Sequence, residues 1–483
     1  MSDYNKINKV SIQAVIAPNE TVLPGISSDI RKANYIIPCF LAALAGLLFG
    51  LDVGVISGAL QFLSADFLLS TKQQELVVSI LMAGATLGAI SCGKISSTFG
   101  RKKSLLLGAS LFVIGSIGCA AAFELSGLLV SRFLLGVAVG IASYTAPIYL
   151  SEIAPAKIRG SMISLYQLMI TVGILAAFLS NTAFSFSGSW RWMLGIITFP
   201  ALILFVGVLV LPESPRWLIS KGRNNDAKKI LLKLRGDPQV AESEYVGIEA
   251  NTKNKQKGFQ FFVKNNNFKR SVFLGISLQI MQQVTGITII MYYAPKILSL
   301  SGFVSTQSQM WGTVAIGLTN VLATIIAIVL VDRWGRKPIL YIGYLSMAIS
   351  LGIIGFLFST ALMTSTEKYL SIFMLLIFIV SFAMSAGPLI WVLCSEIQPM
   401  AGRDFGVTCS TAANWIGNFI VGATFLSLIE YINISNTFLF YAVLNLISLI
   451  VIFIFVPETK NISLENIEIN LMSNKKLRDI GVK

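Results

Sequence analysis

The sequence predicts an all-α integral membrane protein whose twelve spanning helices form two related halves. Three observations support this prediction. Of the 483 residues, 55% are hydrophobic and 12% are charged, whereas a soluble globular protein has about 25% charged residues. Apolar runs of about 20 residues, enough to cross a bilayer, recur along the chain. Short motifs from the first half of the chain also return in the second half.

The apolar runs are predicted to be helices, because a bilayer core offers no water to unpaired backbone groups. A β-barrel would instead show short strands of alternating polarity. The predicted spans are 36–62, 76–96, 104–122, 126–148, 161–184, 192–211, 271–298, 310–331, 338–359, 369–393, 406–428 and 437–456.

Polar segments divide the chain into five parts. An N-terminal segment, 1–35, precedes an apolar run that is too long for a signal peptide and lacks a small-residue cleavage site, so we expect an uncleaved first span. The long polar segment 212–270 separates two six-helix bundles, 36–211 and 271–456, and is expected to be a cytoplasmic linker with short helices. Residues 457–483 are expected to form a cytoplasmic tail.

The basic residues predict the orientation of the chain in the membrane. They cluster in alternate loops, whereas the opposite loops are nearly free of them. By the positive-inside rule both termini are therefore cytoplasmic. The formal net charge of +14 follows from this topology, so we do not expect nucleic-acid binding. The clusters are Lys94, Arg101, Lys102 and Lys103, then Lys157 and Arg159, the segment 216–270, Arg333, Arg336 and Lys337, and Arg403.

The cysteines predict neither a disulfide framework nor a metal site. All five lie in or beside predicted spans and have no paired spacing, so core packing is the expected role. The nucleotide-binding pattern GxxxxGK[ST] is also missing from the sequence, which argues against ATP as an energy source. We therefore expect no metal and no cofactor.

A glycine stripe marks the first predicted span. Gly46, Gly50, Gly54 and Gly58 recur every fourth residue and predict close packing against a neighbouring helix. Asp52 lies about 200° round the helix from Gly50, so it is expected to face away from the stripe.

The inner ends of the two halves carry the same motifs. SEIAPAKIRG (151–160) returns as SEIQPMAGRDFG (395–406), with an offset of 244 for Glu152 and Glu396; PESPRW (212–217) returns as PETK (457–460), and FGRKKS (99–104) as WGRKPI (334–339). Six-helix repeats of this kind are typical of secondary transporters, whose substrate site lies near the midplane between the halves.

The motifs resemble those of the sugar-porter branch of the major facilitator superfamily. The resemblance implies the major facilitator fold, transport of a monosaccharide, a bacterial inner membrane as location, and function as a monomer in the lipid bilayer. Residues 282–295 and 414–426 are most similar to the bacterial galactose– and arabinose–proton symporters. The motifs are PIYLSEIAPAKIRG (147–160), PESPRWL (212–218), QQVTGITIIMYYAP (282–295), VDRWGRKP (331–338), GPLIWVLCSEI (387–397) and PETK (457–460).

The paired charges at the inner ends are candidates for a cytoplasmic gate. The alternative is a set of solvated anchors, since exposed ion pairs contribute only about 0–1 kcal/mol each. Anchoring needs no glutamate, so the repeated acid–base pattern favours a latch between the halves. Ser97 stands where the family has an Asp, which predicts a weaker gate in the first half. The candidates are Arg101, Glu152, Arg159, Glu213, Asp332, Arg336, Glu396, Arg403 and Glu458.

Amide and aromatic residues inside the spans are candidates for a sugar site. A neutral sugar offers hydroxyl groups and apolar faces, which amides and aromatic rings complement. For any one of them the alternative is hydrogen bonding between helices. The resemblance implies sugar contacts at Gln167, Gln282, Gln283, Asn320, Trp391, Asn414 and Trp415; Phe49 is added because it shares a helical face with Asp52, and Thr288 because it replaces the Asn usual in the family.

Asp52 is the candidate proton carrier. The chain has no histidine, and Asp52 is the only Asp or Glu deep inside a predicted span, so it is predicted to be the only buried acid. Arg132 is predicted at a similar depth and is the expected partner, because an unpaired charge at mid-bilayer costs about 2.5–3.5 kcal/mol or more. The alternative is a static salt bridge between two helices.

These observations predict a sugar–proton symporter working by alternating access. A proton-independent facilitator is the nearest alternative. A non-transporting sugar sensor is less expected, because the chain ends about 27 residues after the last span and a sensor would be expected to carry a long tail. An enzyme is not expected, since no nucleophile, metal or acid–base constellation is visible in the sequence.

Overall fold

The structure, a computed structural model, contains helices and no strands among the residues it describes. These are 35–155, 158–252, 258–360, 364–400, 402–460 and 462–481. The predicted N-terminal segment 1–35 therefore lies outside the described residues except for Tyr35. In the following, "outer" denotes the side where α1 ends and α2 begins, as the sequence predicts, and "inner" the opposite side.

The helices occur in the order that the spans predict. The first half contains α1 Ile36–Asp66, α2 Thr71–Phe99, α3 Arg101–Ala120, α4 Leu125–Ile153, α5 Arg159–Ser185, α6 Trp190–Gly195 and α7 Thr198–Val210. Four short helices follow, α8 Pro215–Ser220, α9 Asn224–Arg235, α10 Pro238–Thr252 and α11 Gly258–Lys264. The second half contains α12 Asn266–Val284, α13 Ile287–Leu300, α14 Thr306–Trp334, α15 Arg336–Leu357, α16 Ser365–Met384, α17 Ala386–Glu396 and α18 Arg403–Phe455, and α19 Leu464–Met472 ends the chain's α-helices.

Eleven helical segments among the described residues are long and apolar enough to cross a membrane. The last, α18, has 53 residues and is interrupted at Asn433, where φ is 66° and ψ is 168°. A straight helix of this length would measure about 80 Å, far more than a bilayer core of about 30 Å. Beyond the turn, Ser435 donates a hydrogen bond to the carbonyl of Gly355 on α15 at 2.7 Å. The segment is therefore two spans, and the prediction of twelve is confirmed.

Two spans of the second half are broken near their middle. Between α12 and α13, Gly286 adopts φ +95°, a left-handed conformation that glycine accepts without strain. Pro295 lies inside α13 and Tyr293 departs from helical geometry (φ −115°, ψ 18°). Between α16 and α17, Ser385 adopts φ −124° and ψ −88°. Both breaks adjoin the residues of the candidate site.

Glycines bring α1 and α5 into backbone contact. A Cβ added at Gly50 would lie 1.9 Å from the carbonyl oxygen of Ile170, and one added at Gly173 would lie 2.3 Å from that of Leu47. The same arrangement joins α2 and α4, where a Cβ at Gly136 would lie 1.9 Å from the carbonyl oxygen of Leu81. The predicted packing stripe on the first span is thus confirmed, and α5 is its partner.

Replacing Gly50 with alanine is expected to destabilise the first half. Backbone atoms surround the site, so the added methyl group forces α1 and α5 apart, and overpacking of this kind costs about 1–3 kcal/mol or more. Gly352→Ala is the matched control, because a Cβ there meets nothing within 4 Å. The measurement is the thermal unfolding midpoint in detergent. Equal midpoints for the two variants would contradict the interpretation.

Candidate functional site

A network of buried amides joins α12, α17 and α18. The side-chain nitrogen of Gln282 donates to the carbonyls of Ala386 at 2.7 Å and Gly387 at 3.1 Å. Its oxygen accepts from Asn414 at 2.8 Å and from Gln283 at 3.4 Å. Ala386 and Gly387 are the first residues of α17 after the break, so these hydrogen bonds tie the start of the broken helix to α12.

Two further residues complete this network. Gln279 is fully buried and accepts a 2.6 Å hydrogen bond from Asn414. The sequence analysis missed it, although it lies one helical turn before Gln282 and Gln283 on the same helix, a spacing that could have indicated it. Thr288 donates to the side-chain oxygen of Gln283 at 2.9 Å. The shorter side chain at this position therefore fixes the orientation of a neighbouring amide.

Aromatic rings from the two halves meet beside the amides. Phe49 on α1 and Trp415 on α18 have ring centroids 5.4 Å apart, tilted at 48°. The indole nitrogen of Trp415 is buried and has no hydrogen-bond partner among the described residues. Asn320 is buried on α14, whereas Gln167 on α5 is half-buried and Trp391 on α17 is 37% exposed. Hydrogen bonds thus join Gln282, Gln283, Thr288 and Asn414, and the ring contact joins Phe49 to Trp415, the next residue after Asn414. Within the described part of the chain, Gln167, Asn320 and Trp391 have no side-chain hydrogen bond to this group.

Asp52 and Arg132 form an ion pair that is fully buried. Both side chains have no exposed surface, and the closest oxygen and nitrogen atoms are 3.9 Å apart. Neither carboxylate oxygen of Asp52 has a hydrogen-bond partner among the described residues. Arg132 instead uses its Nε to donate to the carbonyl of Val77 on α2 at 2.6 Å. The predicted pairing is present, with a long separation that leaves the carboxylate without a direct hydrogen bond.

The buried ion pair lies next to the aromatic contact. Phe49 is three residues before Asp52 on α1, so the two side chains share one face of the helix. Through Phe49 and Trp415 this face adjoins the amide network of the second half. A polar substrate bound among the amides would thus lie close to a group that can gain or lose a proton.

Each half contains the same cluster of charges at its inner end. In the first half, Arg101 contacts both oxygens of Glu152, at 2.9 and 3.0 Å. Glu213 accepts hydrogen bonds from the backbone nitrogens of Arg101 and Lys102 at 2.9 and 3.1 Å, and so caps α3. A carboxylate at a helix N-terminus is stabilised by the unpaired backbone N–H groups there.

The second half repeats this geometry. Arg336 contacts Glu396 at 3.2 Å, and Glu458 accepts from the backbone nitrogens of Arg336 and Lys337 at 3.1 and 2.9 Å. Arg159 and Arg403 are the first residues of α5 and α18. Among the described residues, neither forms an ion pair with the acids of these clusters. The side chain of Asp332 lies outside the described residues. The bonds that are described run within each half, so the latch between the halves stays a prediction.

Replacing Ser97 with aspartate is expected to slow the opening of the inner side. The new carboxylate would lie four residues before Arg101, across the turn at Gly100, and offer the gate a further acid, which favours the closed inner gate. We expect the rate of sugar exchange in proteoliposomes to fall a few-fold. Ser97→Asn controls for size without charge. An exchange rate that Ser97→Asp leaves unchanged would contradict the assignment of this loop to the gate.

The prediction that Asp52 is the only buried acid is wrong. Glu75 lies near the outer end of α2, yet its side chain is only 2% exposed, and Glu152 is 8% exposed. A position at the end of a span suggested contact with water. In the structure the second half covers Glu75, a contact between residues far apart in sequence that the pattern of one helix cannot reveal.

The fold, the buried amide and aromatic centre and the buried acid–base pair define a membrane transporter of the major facilitator type. The chain belongs to the sugar transporter family, because the family model described as "Sugar (and other) transporter" matches residues 38–471.

Similar proteins agree with this family. The galactose-proton symporter of Escherichia coli K12 is 58% identical over 451 residues, which cover 93% of this chain and 97% of that protein. The arabinose-proton symporter of the same strain is 49% identical over 470 residues, covering 97% and 99%. A structure of the xylose transporter XylE from E. coli, in a partially occluded inward-open conformation, matches with a TM-score of 0.78 at 30% identity and covers 89% of this chain and 99% of that one.

Proposed function

We propose that this protein is a proton-coupled symporter of a monosaccharide of the galactose, arabinose, glucose or xylose class. It works by alternating access and not as an enzyme, and it uses neither a metal nor a cofactor. The relatives named as galactose– and arabinose–proton symporters support this proposal, as does the proton:xylose symporter XylE, whose structure with 6-bromo-6-deoxy-D-glucose matches with a TM-score of 0.76 at 30% identity and covers 92% of this chain and 98% of that one.

The observation that carries the proposal is the fully buried Asp52–Arg132 pair beside the amide site. Burial favours the neutral carboxylic acid, whereas the guanidinium favours the carboxylate. A change in the distance between α1 and α4 would alter this balance. Asp52 would then take up a proton from the outer side and release it on the inner side, while the sugar occupies the neighbouring amides.

The site residues act as two groups in this proposal. The amides, the hydroxyl of Thr288 and the aromatic rings bind the sugar, and the inner charge clusters hold the halves together when the cavity faces outward. The protein works as a monomer in a bacterial inner membrane, with both termini in the cytoplasm. The sugar contacts are Phe49, Gln167, Gln282, Gln283, Thr288, Asn320, Trp391, Asn414 and Trp415.

Sugar-dependent proton uptake tests the proposal. Purified protein in proteoliposomes is given galactose, glucose, arabinose or xylose in weakly buffered medium, and the external pH is recorded. A symporter makes the external medium more alkaline with the transported sugar. A facilitator would equilibrate the sugar without a pH change, and a sensor would bind the sugar without uptake. Binding of the four sugars to detergent-solubilised protein identifies the substrate.

A further inference from the structure

The outer ends of the two halves are joined by hydrogen bonds centred on Glu75. One carboxylate oxygen accepts from the backbone nitrogen of Ser427 on α18 at 2.7 Å, and the other accepts from the Ser427 hydroxyl at 2.6 Å. Lys72 reaches the same place, with its Nζ 3.5 Å from Glu75 and 2.6 Å from the Ser427 hydroxyl. Thr71 adds a hydrogen bond to Glu430. The residues Glu75 and Ser427 with Lys72 are called the outer latch below.

Glu75 does not cap the N-terminus of its own helix. The N-terminus of α2 is already capped by Ser70 and Gln73, which form both hydrogen bonds of a capping box. A buried carboxylate is costly unless hydrogen bonds replace its water. The partners that replace water here come from the opposite half through Ser427, so the carboxylate can be buried only while the outer side is closed.

We propose that Glu75 is a positioning residue of the transport cycle, whose carboxylate holds α2 against α18 when the outer pathway is closed. Opening the outer side separates Glu75 from Ser427 and returns the carboxylate to water. Hydrogen bonds to a charged acceptor are about twice as strong as those between neutral groups. The outer latch therefore balances the charge clusters at the inner ends, and it rests on the alternating-access part of the proposed function.

The same turn of α2 also contacts the buried ion pair. Val77, two residues after Glu75, accepts the 2.6 Å hydrogen bond from Arg132. The part of α2 that carries the outer latch therefore also holds the guanidinium of Arg132. Glu75 and the hydrogen-bond acceptor of Arg132 thus lie on the same turn of α2, whereas Asp52 lies on α1.

Labelling of a thiol at the closed interface tests the outer latch. Met82 is fully buried on α2, and its sulfur lies 3.0 Å from the position of a Cβ added at Gly422 on α18. Met82→Cys therefore reports the opening of this interface to a membrane-impermeant maleimide added outside intact cells. Four native cysteines are buried, and the fifth, Cys409, is half-buried near the inner end of α18.

Adding Glu75→Ala to Met82→Cys is expected to raise the labelling rate about ten-fold, the equivalent of about 1.4 kcal/mol in the closing equilibrium. Glu75→Gln keeps the shape of the side chain and is expected to give a smaller rise, which also covers the case that the alanine variant does not fold. Glu124→Gln is the matched control. Glu124 is an exposed acid at the outer N-terminus of α4, without a hydrogen bond to the second half among the described residues.

Labelling rates that stay within two-fold of the Met82→Cys parent in both Glu75 variants would overturn the proposal, as would an equal rise in Glu124→Gln. The assay uses neither sugar nor a pH gradient. Faster labelling in a protein that fails to couple proton and sugar movement would leave the outer latch standing and refute the proposed function. Normal coupled transport with unchanged labelling would do the reverse.

Discussion

Asp52→Asn is expected to abolish the accumulation of sugar against a gradient while sugar exchange across the membrane continues. Asparagine has the shape of the protonated carboxyl group but cannot bind or release a proton. It therefore resembles one state of the proposed cycle, and Arg132 keeps its hydrogen bond to Val77. One charge crossing 100 mV supplies about 2.3 kcal/mol, so the variant should lose about fifty-fold accumulation even without a pH gradient.

The measurement compares uptake of labelled sugar into energised vesicles with counterflow between equal pools. Asp66→Asn is the matched control, since Asp66 ends the same helix on the outer side and its side chain is 49% exposed. The control should retain accumulation. Unimpaired uphill uptake by Asp52→Asn would refute the assignment of Asp52 as the proton carrier, and loss of both uptake and counterflow would assign it to the static ion pair instead.

Gln282→Ala is expected to abolish sugar binding. Its amide contacts two carbonyls, Asn414 and Gln283, and all of these would lose a partner at once. Each buried hydrogen-bonding group that is left without a partner costs about 1–3 kcal/mol, so the loss of one amide weakens the whole site. We expect the dissociation constant for the sugar to rise at least about 100-fold, measured by isothermal titration calorimetry.

A second buried glutamine serves as a control that separates loss of sugar binding from loss of stability in Gln282→Ala. Gln309 is 6% exposed and donates a 2.7 Å hydrogen bond to the carbonyl of Phe303, at the outer end of α14. Gln309→Ala removes a buried amide away from the site, and should lower stability while leaving sugar affinity within two-fold. If both variants lose affinity equally, the amide network has a structural role rather than a binding role.

The spans could be predicted from the sequence because hydropathy reports directly on the bilayer. Their ends could not be placed as well. Helix α1 runs four residues beyond its predicted end, to Asp66, because helix ends in the interface are polar and carry no hydropathy signal. The turn at Asn433 falls in the predicted gap between the last two spans. Its positive φ could not be predicted, because the residue is not a glycine.

The candidate site was predictable where depth in the membrane carries the signal. The cost of an unpaired charge and the similar depths of Asp52 and Arg132 predict their pairing, and the structure brings them to 3.9 Å. Contacts between the halves were not predictable in this way. Glu75 and Ser427 are 352 positions apart, and nothing in either neighbourhood indicates the other. Depth in a bilayer is encoded locally, whereas the choice of neighbour depends on how twelve helices pack.

The glycine contacts have a mechanical consequence for the first half. Backbone touches backbone between α1 and α5, and again between α2 and α4, so each pair is stiff and its members shift together. Asp52 belongs to the first pair and Arg132 to the second. The buried charges thus lie on opposite sides of the boundary between two stiff helix pairs, and sliding of one pair along the other would change their separation. Such a movement would then change the proton affinity of Asp52.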